Sequence, residues 1–169
     1  PALQDLAGPV RLNVTRELLD ARVAAGQGAR PCLIGGDGQR WSYAQVQQQV
    51  NRIAHVLVQA LGLIPGQRVL LRGANSPMLA MCFLAVMKAG GIAVGTMPLL
   101  RARELRTIID KAQISLALCD GRLAAELEAA AVDTPSLARV MRFNDGPDSA
   151  LEQAAQQQPD TFEAFDSAA

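Results

Sequence analysis

The feature that most restricts the fold of this 169-residue chain is a repeated alternation of short apolar strands with helices after residue 67. Strands are predicted at residues 68–72, 92–96, 116–119 and 137–143, with helices at 76–89, 104–112 and 120–127 between them. Short apolar strands separated by helices of about ten residues are typical of a parallel sheet covered on both faces. The sequence therefore predicts an α/β fold with a layered, mainly parallel sheet and helices on both faces.

The residues ahead of this alternation predict a helix, an N-terminal β-hairpin and a second helix. The first helix spans residues 13–26, with Asn13 or Thr15 as its cap. The runs PCLIG and QRWSY flank the turn triplet Gly36-Asp37-Gly38, which is typical of a hairpin. Ser42 and Gln45 then form a capping box for a long amphipathic helix that ends at Gly62.

The helix at 76–89 differs from the others because it is apolar on nearly every side. Ser76 caps it and Pro77 stands in its first turn, where a missing N–H is harmless. A helix of this kind is expected to be covered on all sides by the fold. Its large side chains are therefore interpreted as core rather than as a cofactor pocket: Met78, Met81, Phe83 and Met87.

The zero net charge conceals an uneven distribution along the chain. Residues 144–169 contain six acidic and no basic residues, so residues 1–143 carry six more basic than acidic ones. We divide the chain there, into an α/β subdomain (1–143) and an acidic connector (144–169). The connector predicts one weak helix from Ser149 with Glu152, ending before Pro159, and then an extended arm. Phe162 and Phe165 in that arm are expected to need a surface supplied elsewhere.

Several classes of protein are disfavoured by composition. The even balance of charge argues against a strongly basic nucleic-acid-binding protein. No apolar run is long enough for a membrane span, and residues 1–11 lack the layout of a signal peptide. The three cysteines, Cys32, Cys82 and Cys119, lie in apolar runs without a CxxC pair, which indicates buried thiols in a reducing compartment. A cytoplasmic location is expected.

Few residues of this chain could carry out chemistry. The single histidine, His55, lies off the apolar stripe of its helix and is interpreted as a surface residue. One histidine and scattered thiols cannot form a catalytic triad or a zinc site, and the glycine cluster at 35–38 lies between two strands, unlike a nucleotide-binding loop. No catalytic or metal-binding residue is therefore assigned.

Ligands of a doubly wound sheet bind beyond the carboxyl ends of its strands. In this chain that edge corresponds to residues 73–76, 97–103 and 120–122. Arg101 and Arg103 open a helix, where cations oppose the helix dipole, so they are the candidate contacts for an anion.

Three segments in order resemble one enzyme superfamily: WSYAQVQQQVNRIAHVL, LGLIPGQRVLLRGANSPMLAMCFLAVMKAGGIAV and TMPLLRARELRTIIDKAQISLALCD. Over residues 13–119 the chain resembles the start of an AMP-forming acyl-CoA synthetase, a superfamily that includes luciferases and adenylation domains. The second and third segments are most similar to ligases of the 2-aminobenzoate-CoA and benzoate-CoA type.

The resemblance implies a two-step reaction in the parent enzyme. A carboxylate attacks the α-phosphate of ATP, with Mg²⁺ present, to give an acyl adenylate and pyrophosphate, and the thiol of CoA then displaces AMP. The phosphate loop and catalytic lysine of such enzymes match nothing in this sequence. The resemblance therefore implies an N-terminal fragment that is inactive alone and binds none of these cofactors. The loop at residues 97–99 is similar to one that approaches CoA in some members, so Arg101 and Arg103 are expected at the mouth of a CoA site.

Two other interpretations remain open at this point. The chain could be a stand-alone α/β binding or interaction module without catalysis, or a fragment of an aliphatic acyl-CoA synthetase. For a fragment, apolar surfaces left uncovered are expected to favour a dimer. The expected partners of the parent enzyme are an aromatic carboxylate and CoA, with no nucleic acid and no membrane.

Overall fold

The computed structural model describes residues 11–147 and 149–167. The strands are β1 Pro31–Ile34, β2 Arg40–Ser42, β3 Arg68–Arg72, β4 Ile92–Thr96, β5 Leu116–Asp120 and β6 Arg139–Phe143. The α-helices are α1 Tyr43–His55, α2 Pro77–Lys88, α3 Ala102–Ala112, α4 Ala124–Ala131 and α5 Ala150–Gln156. Wide helical turns occupy Arg16–Asp20, Val23–Gln27 and Val56–Ala60, and a 3₁₀ turn at Gly121–Leu123 precedes α4.

The strands form two sheets, as the sequence predicts. β1 and β2 pair antiparallel as a hairpin, and the other four strands form a sheet in the order β4-β3-β5-β6. Every pairing in the larger sheet is parallel, with Leu70 of β3 opposite Val94 of β4 on one side and Ala117 of β5 on the other. The α/β fold with a hairpin and a parallel sheet is confirmed.

Helices cover both faces of the parallel sheet. Alternate residues of β3 point to opposite faces, so Val69 and Leu71 join one buried cluster and Leu70 joins another. The first cluster contains side chains of α1, α2 and α5, and the second contains side chains of α3 and α4. The hairpin packs on the first cluster through Leu33 and Trp41.

The predicted caps of the first three helical segments are present. Ser42 Oγ accepts a hydrogen bond from the backbone N–H of Gln45, whose side chain accepts one from the N–H of Ser42. Ser76 Oγ accepts from the N–H of Leu79 at the start of α2. Of the two candidates at the first segment, Asn13 is the cap, since its Oδ1 accepts from the N–H groups of Thr15 and Arg16.

One side of α2 is less covered than its sequence predicts. Met81, Cys82, Ala85 and Val86 are buried, but Met78, Leu79, Phe83 and Met87 are only half-buried. The expectation that the fold covers this helix on all sides is therefore wrong for the described residues. The reason lies in the sheet order, because β4, which packs beside α2, is an edge strand.

A buried ammonium group ties α1 and α2 to the N-terminal segment. The side chain of Lys88, at the end of α2, is 1% exposed, and its Nζ lies 2.8 Å from Asp20 Oδ1 and 2.5 Å from Asn51 Oδ1. Gln47 also donates to Asp20, at 2.8 Å. These bonds satisfy an interior charge that would otherwise be strongly destabilising.

The acidic tail packs on the same core as the residues before it. Leu151 and Ala155 of α5 are fully buried in the first cluster. Ser149 does not cap α5 through the backbone; its hydroxyl donates to the carboxylate of Glu152, which also accepts from the N–H of Asn144. The division of the chain at residue 143 stays a prediction.

The residues at 160–167, which we call the arm, have no helix or strand and lie against α1 and the end of α2. Asn51 Nδ2 donates to Asp160 O at 2.6 Å, and the ring of Phe162 meets His55 edge-on at 4.9 Å between centroids. Phe165 lies over Gly90, where a Cβ would come within 2.6 Å of its ring. The expectation that these phenylalanines need a surface from elsewhere is wrong for Phe162, which packs on the first cluster, whereas Phe165 remains 42% exposed.

The remaining sequence predictions concern thiols and membranes. All three cysteines are free, with Cys82 and Cys119 buried and Cys32 half-buried, and burial raises the pKa of each thiol. Across residues 11–147 and 149–167, no helix has the length and apolar character required to cross a bilayer.

Candidate functional site

The three segments predicted to border a ligand lie at the carboxyl edge of the parallel sheet. Residues 73–76 follow β3, residues 97–103 follow β4, and residues 120–122 stand at the end of β5. Because parallel strands all end at the same edge, the structure brings these segments together around three adjoining cavities.

The first cavity, which we call the arginine cavity, has a volume of about 360 Å³ and lies between the loop after β4 and the start of α4. A cavity of this size can accept part of a small-molecule ligand. Its lining residues are Arg72, Pro98, Leu99, Leu100, Arg101, Arg122, Leu123, Ala125 and Glu126.

The two arginines singled out in the sequence occupy different positions. Arg101 lines the arginine cavity, and its Nη1 lies 2.9 Å from Glu126 Oε1. The hydrogen bond from Arg101 lowers the pKa of the Glu126 carboxyl. Arg103 is exposed on α3 and does not line the cavity. Glu126 also accepts from the N–H of Ala102, at 2.8 Å. The Arg101 side chain is 77% exposed, and an ion pair of this kind contributes little to stability.

Arg72 is a site residue that the sequence reasoning missed. Its side chain is buried at the end of β3, and it donates hydrogen bonds to backbone carbonyls of Met97, Pro98, Leu100 and Leu123. In sequence, an arginine at the end of a short apolar strand is expected to be exposed to solvent. Its position could still have identified it, because the carboxyl end of β3 lies at the predicted ligand edge.

Asp120 and Arg122 form an ion pair, and Arg122 lines both the arginine cavity and the neighbouring second cavity. Asp120 is fully buried, and both of its carboxylate oxygens accept from the guanidinium of Arg122, at 2.8 and 2.7 Å. Asn144 Nδ2 donates to Asp120 from the end of β6. The hydrogen bonds from Arg122 hold the pKa of the Asp120 carboxyl below its usual value.

This pair predicts an acid-sensitive contribution to stability. The folded-state pKa of Asp120 lies below the unfolded value of about 3.9, so its contribution is present above that pH and is lost as pH falls through the folded-state pKa. We expect Asp120→Asn to show a weaker loss of unfolding free energy between about pH 5 and pH 2 than the unchanged chain. Urea unfolding across that range measures the slope.

Arg122→Met serves as the companion variant because it removes the cause and leaves the carboxylate. Arg122→Met should also weaken the loss of unfolding free energy between about pH 5 and pH 2. Combining it with Asp120→Asn should weaken that loss no further. A wild-type slope in Arg122→Met would contradict this account.

The second cavity, of about 320 Å³, lies between the hairpin turn and the loop after β3. Gly35, Gly36 and Asp37 of the turn form one wall, and Asn75 and Ser76 form the other. The glycine cluster is therefore a hairpin turn, as predicted, and it borders the site. The third cavity, also about 320 Å³, is apolar and lies over Leu79 and Phe83 of α2.

Among residues 11–147 and 149–167, no cluster of three or more His, Cys, Asp or Glu side chains could hold a metal ion. His55 lies on α1, where its Nε2 donates to Thr161 O at 2.8 Å and its Nδ1 accepts from Gln59. Histidine tautomers follow from such partners, and these assign His55 to holding the arm.

Comparison with known proteins gives the family context of this site. The sequence model described as "AMP-binding enzyme" matches residues 20–168. The 3-hydroxybenzoate–CoA ligase of Aromatoleum sp. (strain CIB) is 27% identical over 113 residues, which cover 67% of this chain and 21% of that enzyme. The salicyl-AMP ligase / salicyl-S-ArCP synthetase of Mycobacterium tuberculosis is 38% identical over 93 residues, covering 55% and 15%.

Solved structures show the same likeness in fold. The structure of the anthranilate CoA ligase AuaEII in complex with anthranoyl-AMP superposes with a TM-score of 0.87 at 21% identity, covering 99% of this chain and 31% of that one. ATP-bound MatB from Rhodopseudomonas palustris gives a TM-score of 0.78 at 27% identity, covering 91% and 29%. The chain spans about a fifth of the length of the 3-hydroxybenzoate–CoA ligase and under a third of these two structures. Because the family match extends over residues 20–168, this chain belongs to the AMP-binding enzyme family.

Proposed function

We propose that this chain is part of an ATP-dependent, AMP-forming ligase that converts a carboxylic acid to its CoA thioester through an acyl adenylate. The observation that carries the proposal is the family match, which extends over residues 20–168. Relatives named as acid–CoA ligases and an ATP-bound relative of the same fold support it.

An aromatic acid is the substrate class that we favour. The relatives include enzymes named for 3-hydroxybenzoate and salicylate, and the fold is that of an anthranilate CoA ligase. A fatty acid is the second candidate, since a medium/long-chain-fatty-acid–CoA ligase of Mycobacterium marinum is 29% identical over 119 residues, covering 70% of this chain and 21% of that enzyme.

The described residues supply a scaffold and one wall of the site rather than reacting groups. They contain no cluster of ligands suited to Mg²⁺ and no glycine-rich phosphate loop ahead of a helix. We therefore assign no contact with ATP or Mg²⁺ to them, and we propose that residues 1–169 alone do not turn over substrate.

We place the approach of CoA at the arginine cavity. The loop after β4 presents the side chains of Pro98, Leu99 and Leu100 to this cavity. Arg101 at its rim can exchange Glu126 for a phosphate. Arg103, which is exposed in the first turn of α3, is the second candidate contact for the anionic part of CoA.

The experiment compares residues 1–169 with the product of the full reading frame that encodes them. Acid-dependent release of pyrophosphate from ATP and Mg²⁺ is measured with benzoate, 2-aminobenzoate, 3-hydroxybenzoate, salicylate, octanoate and malonate. We expect turnover by the full product with at least one aromatic acid, and none by residues 1–169.

Each alternative has its own outcome. Turnover with octanoate but with no aromatic acid would favour the aliphatic enzyme. Pyrophosphate release by residues 1–169 would contradict the scaffold role. If the full product released none with any acid, the binding-module interpretation would replace the proposal.

A further inference from the structure

The buried guanidinium of Arg72 lacks a carboxylate partner in the part of the chain that the structure describes. The Arg72 side chain is among the most deeply buried in the protein, at 1% exposure. Its hydrogen bonds go to backbone carbonyls alone, at 3.1 Å to Leu123, 3.1 Å to Met97, 3.1 Å to Pro98 and 2.9 Å to Leu100. A buried charge normally costs stability unless it is fully hydrogen-bonded, so these carbonyls must be held in place around it.

The four carbonyls belong to two different loops. Met97, Pro98 and Leu100 lie in the loop after β4, and Leu123 lies between β5 and α4. A planar guanidinium with five N–H groups can donate to all four carbonyls, whereas an ammonium group has only three N–H groups. Arg72 thus connects the loop after β4 to the turn before α4, and these two segments form opposite walls of the arginine cavity.

This arrangement also determines which groups the loop after β4 exposes. Its carbonyls turn inward to the guanidinium, and the carbonyl of Met97 also accepts from the N–H of Leu100, which closes a turn. The side chains of Met97 and Leu99 face solvent as a result, at 65% and 82% exposure. Large apolar side chains held outward at a cavity rim are suited to contact a ligand or another part of the protein.

We propose that Arg72 is a positioning residue. It holds residues 97–100 and Leu123 in the shape that admits CoA, whose thiol accepts the acyl group. This inference rests on the proposed function, in which CoA enters at the arginine cavity. The guanidinium of Arg72 itself binds the loop carbonyls rather than CoA. Its removal should therefore weaken the use of CoA while leaving formation of the acyl adenylate intact.

The test uses the full reading-frame product and its preferred acid. Two reactions are measured in each variant: acid-dependent exchange of pyrophosphate into ATP without CoA, and formation of the CoA thioester with CoA varied. The variants are Arg72→Met, which removes the guanidinium, and Arg72→Lys, which keeps the charge without it. Arg68→Met is the matched control, since Arg68 is an exposed arginine at the opposite end of β3.

We expect Arg72→Met to raise the KM for CoA by about tenfold or more, because a misplacement of about 1 Å at a site can cost up to about a hundredfold. The exchange rate should stay within about twofold of the wild type, and Arg72→Lys should raise the KM less than Arg72→Met. Arg68→Met should match the wild type in both reactions.

Two results would overturn the inference: an unchanged KM for CoA in both Arg72 variants, or an equal loss in both reactions, which marks a general structural role. If Arg72→Met is insoluble, Arg72→Lys decides by the same two criteria. Absence of acid-dependent exchange in the wild type would instead refute the proposed function itself. The two failures can be told apart, because the first is seen only in the Arg72 variants and the second is already seen in the wild type.

Discussion

Truncation of Phe143 to alanine is expected to lower the free energy of unfolding by about 3–5 kcal/mol, the usual cost of a phenylalanine-to-alanine change in a packed core. Phe143 ends β6 and has no exposed surface. Its ring lies under the loop after β3, where a Cβ on Gly73 would stand 3.0 Å from the ring edge. The change would leave a void directly below the residues that border the second cavity.

Phe165 provides the matched control for this measurement. It is the same residue type but 42% exposed, so Phe165→Ala should cost no more than about 1.5 kcal/mol. Urea-induced unfolding, followed by far-UV and near-UV circular dichroism, gives both values if the two signals coincide. Equal losses for the two variants would contradict the core role of Phe143.

Replacement of Asp20 by alanine is expected to cost about 3 kcal/mol of unfolding free energy. The change removes the carboxylate bonded to the buried Lys88 ammonium and, among the described residues, leaves this group with the amide oxygen of Asn51. A charge stranded in the interior is more costly than the loss of the pair itself.

The contrast with Lys88→Met makes this prediction specific. That variant leaves Asp20, whose side chain is 21% exposed and still accepts from Gln47, so the carboxylate can be hydrated. We expect Lys88→Met to cost less than about 1.5 kcal/mol, and the double variant to be more stable than Asp20→Ala alone. Additive losses in the double variant would contradict the interpretation.

Local rules in the sequence were sufficient to predict most of the fold. The alternation of strands and helices, the hairpin around Gly36-Asp37-Gly38 and the caps at Ser42 and Ser76 all depend on residues within a few positions of one another. The parallel sheet followed from the lengths of the connections. The position of the candidate site followed as well, because the carboxyl edge of such a sheet is known once the strand ends are known.

The parts that could not be predicted depend on residues distant in sequence. Arg72 is buried because carbonyls 25 to 51 positions away gather around it, and Lys88 is buried because Asp20, 68 positions away, lies opposite. In the sequence, both are charged residues at the end of a strand or helix, where a solvent-exposed side chain is expected. The dipole argument is local and selected both Arg101 and Arg103, but only Arg101 lines the arginine cavity, while Arg103 is exposed on α3.

The docking of the arm has a consequence for the order of folding. Its contacts span most of the chain: 106 positions between His55 and Thr161, 109 between Asn51 and Asp160, and 152 between Asn13 and Phe165. Closing loops of this length costs chain entropy that the shorter-range contacts must first offset. The sheet and its helices should thus form early, and the amide of Asn13, buried under Phe165 O, should gain its last partner late. During synthesis on the ribosome, the bond from Asn13 Nδ2 to Phe165 O would form only after residue 165 has left the exit tunnel, whereas Asp20 could already bind Lys88.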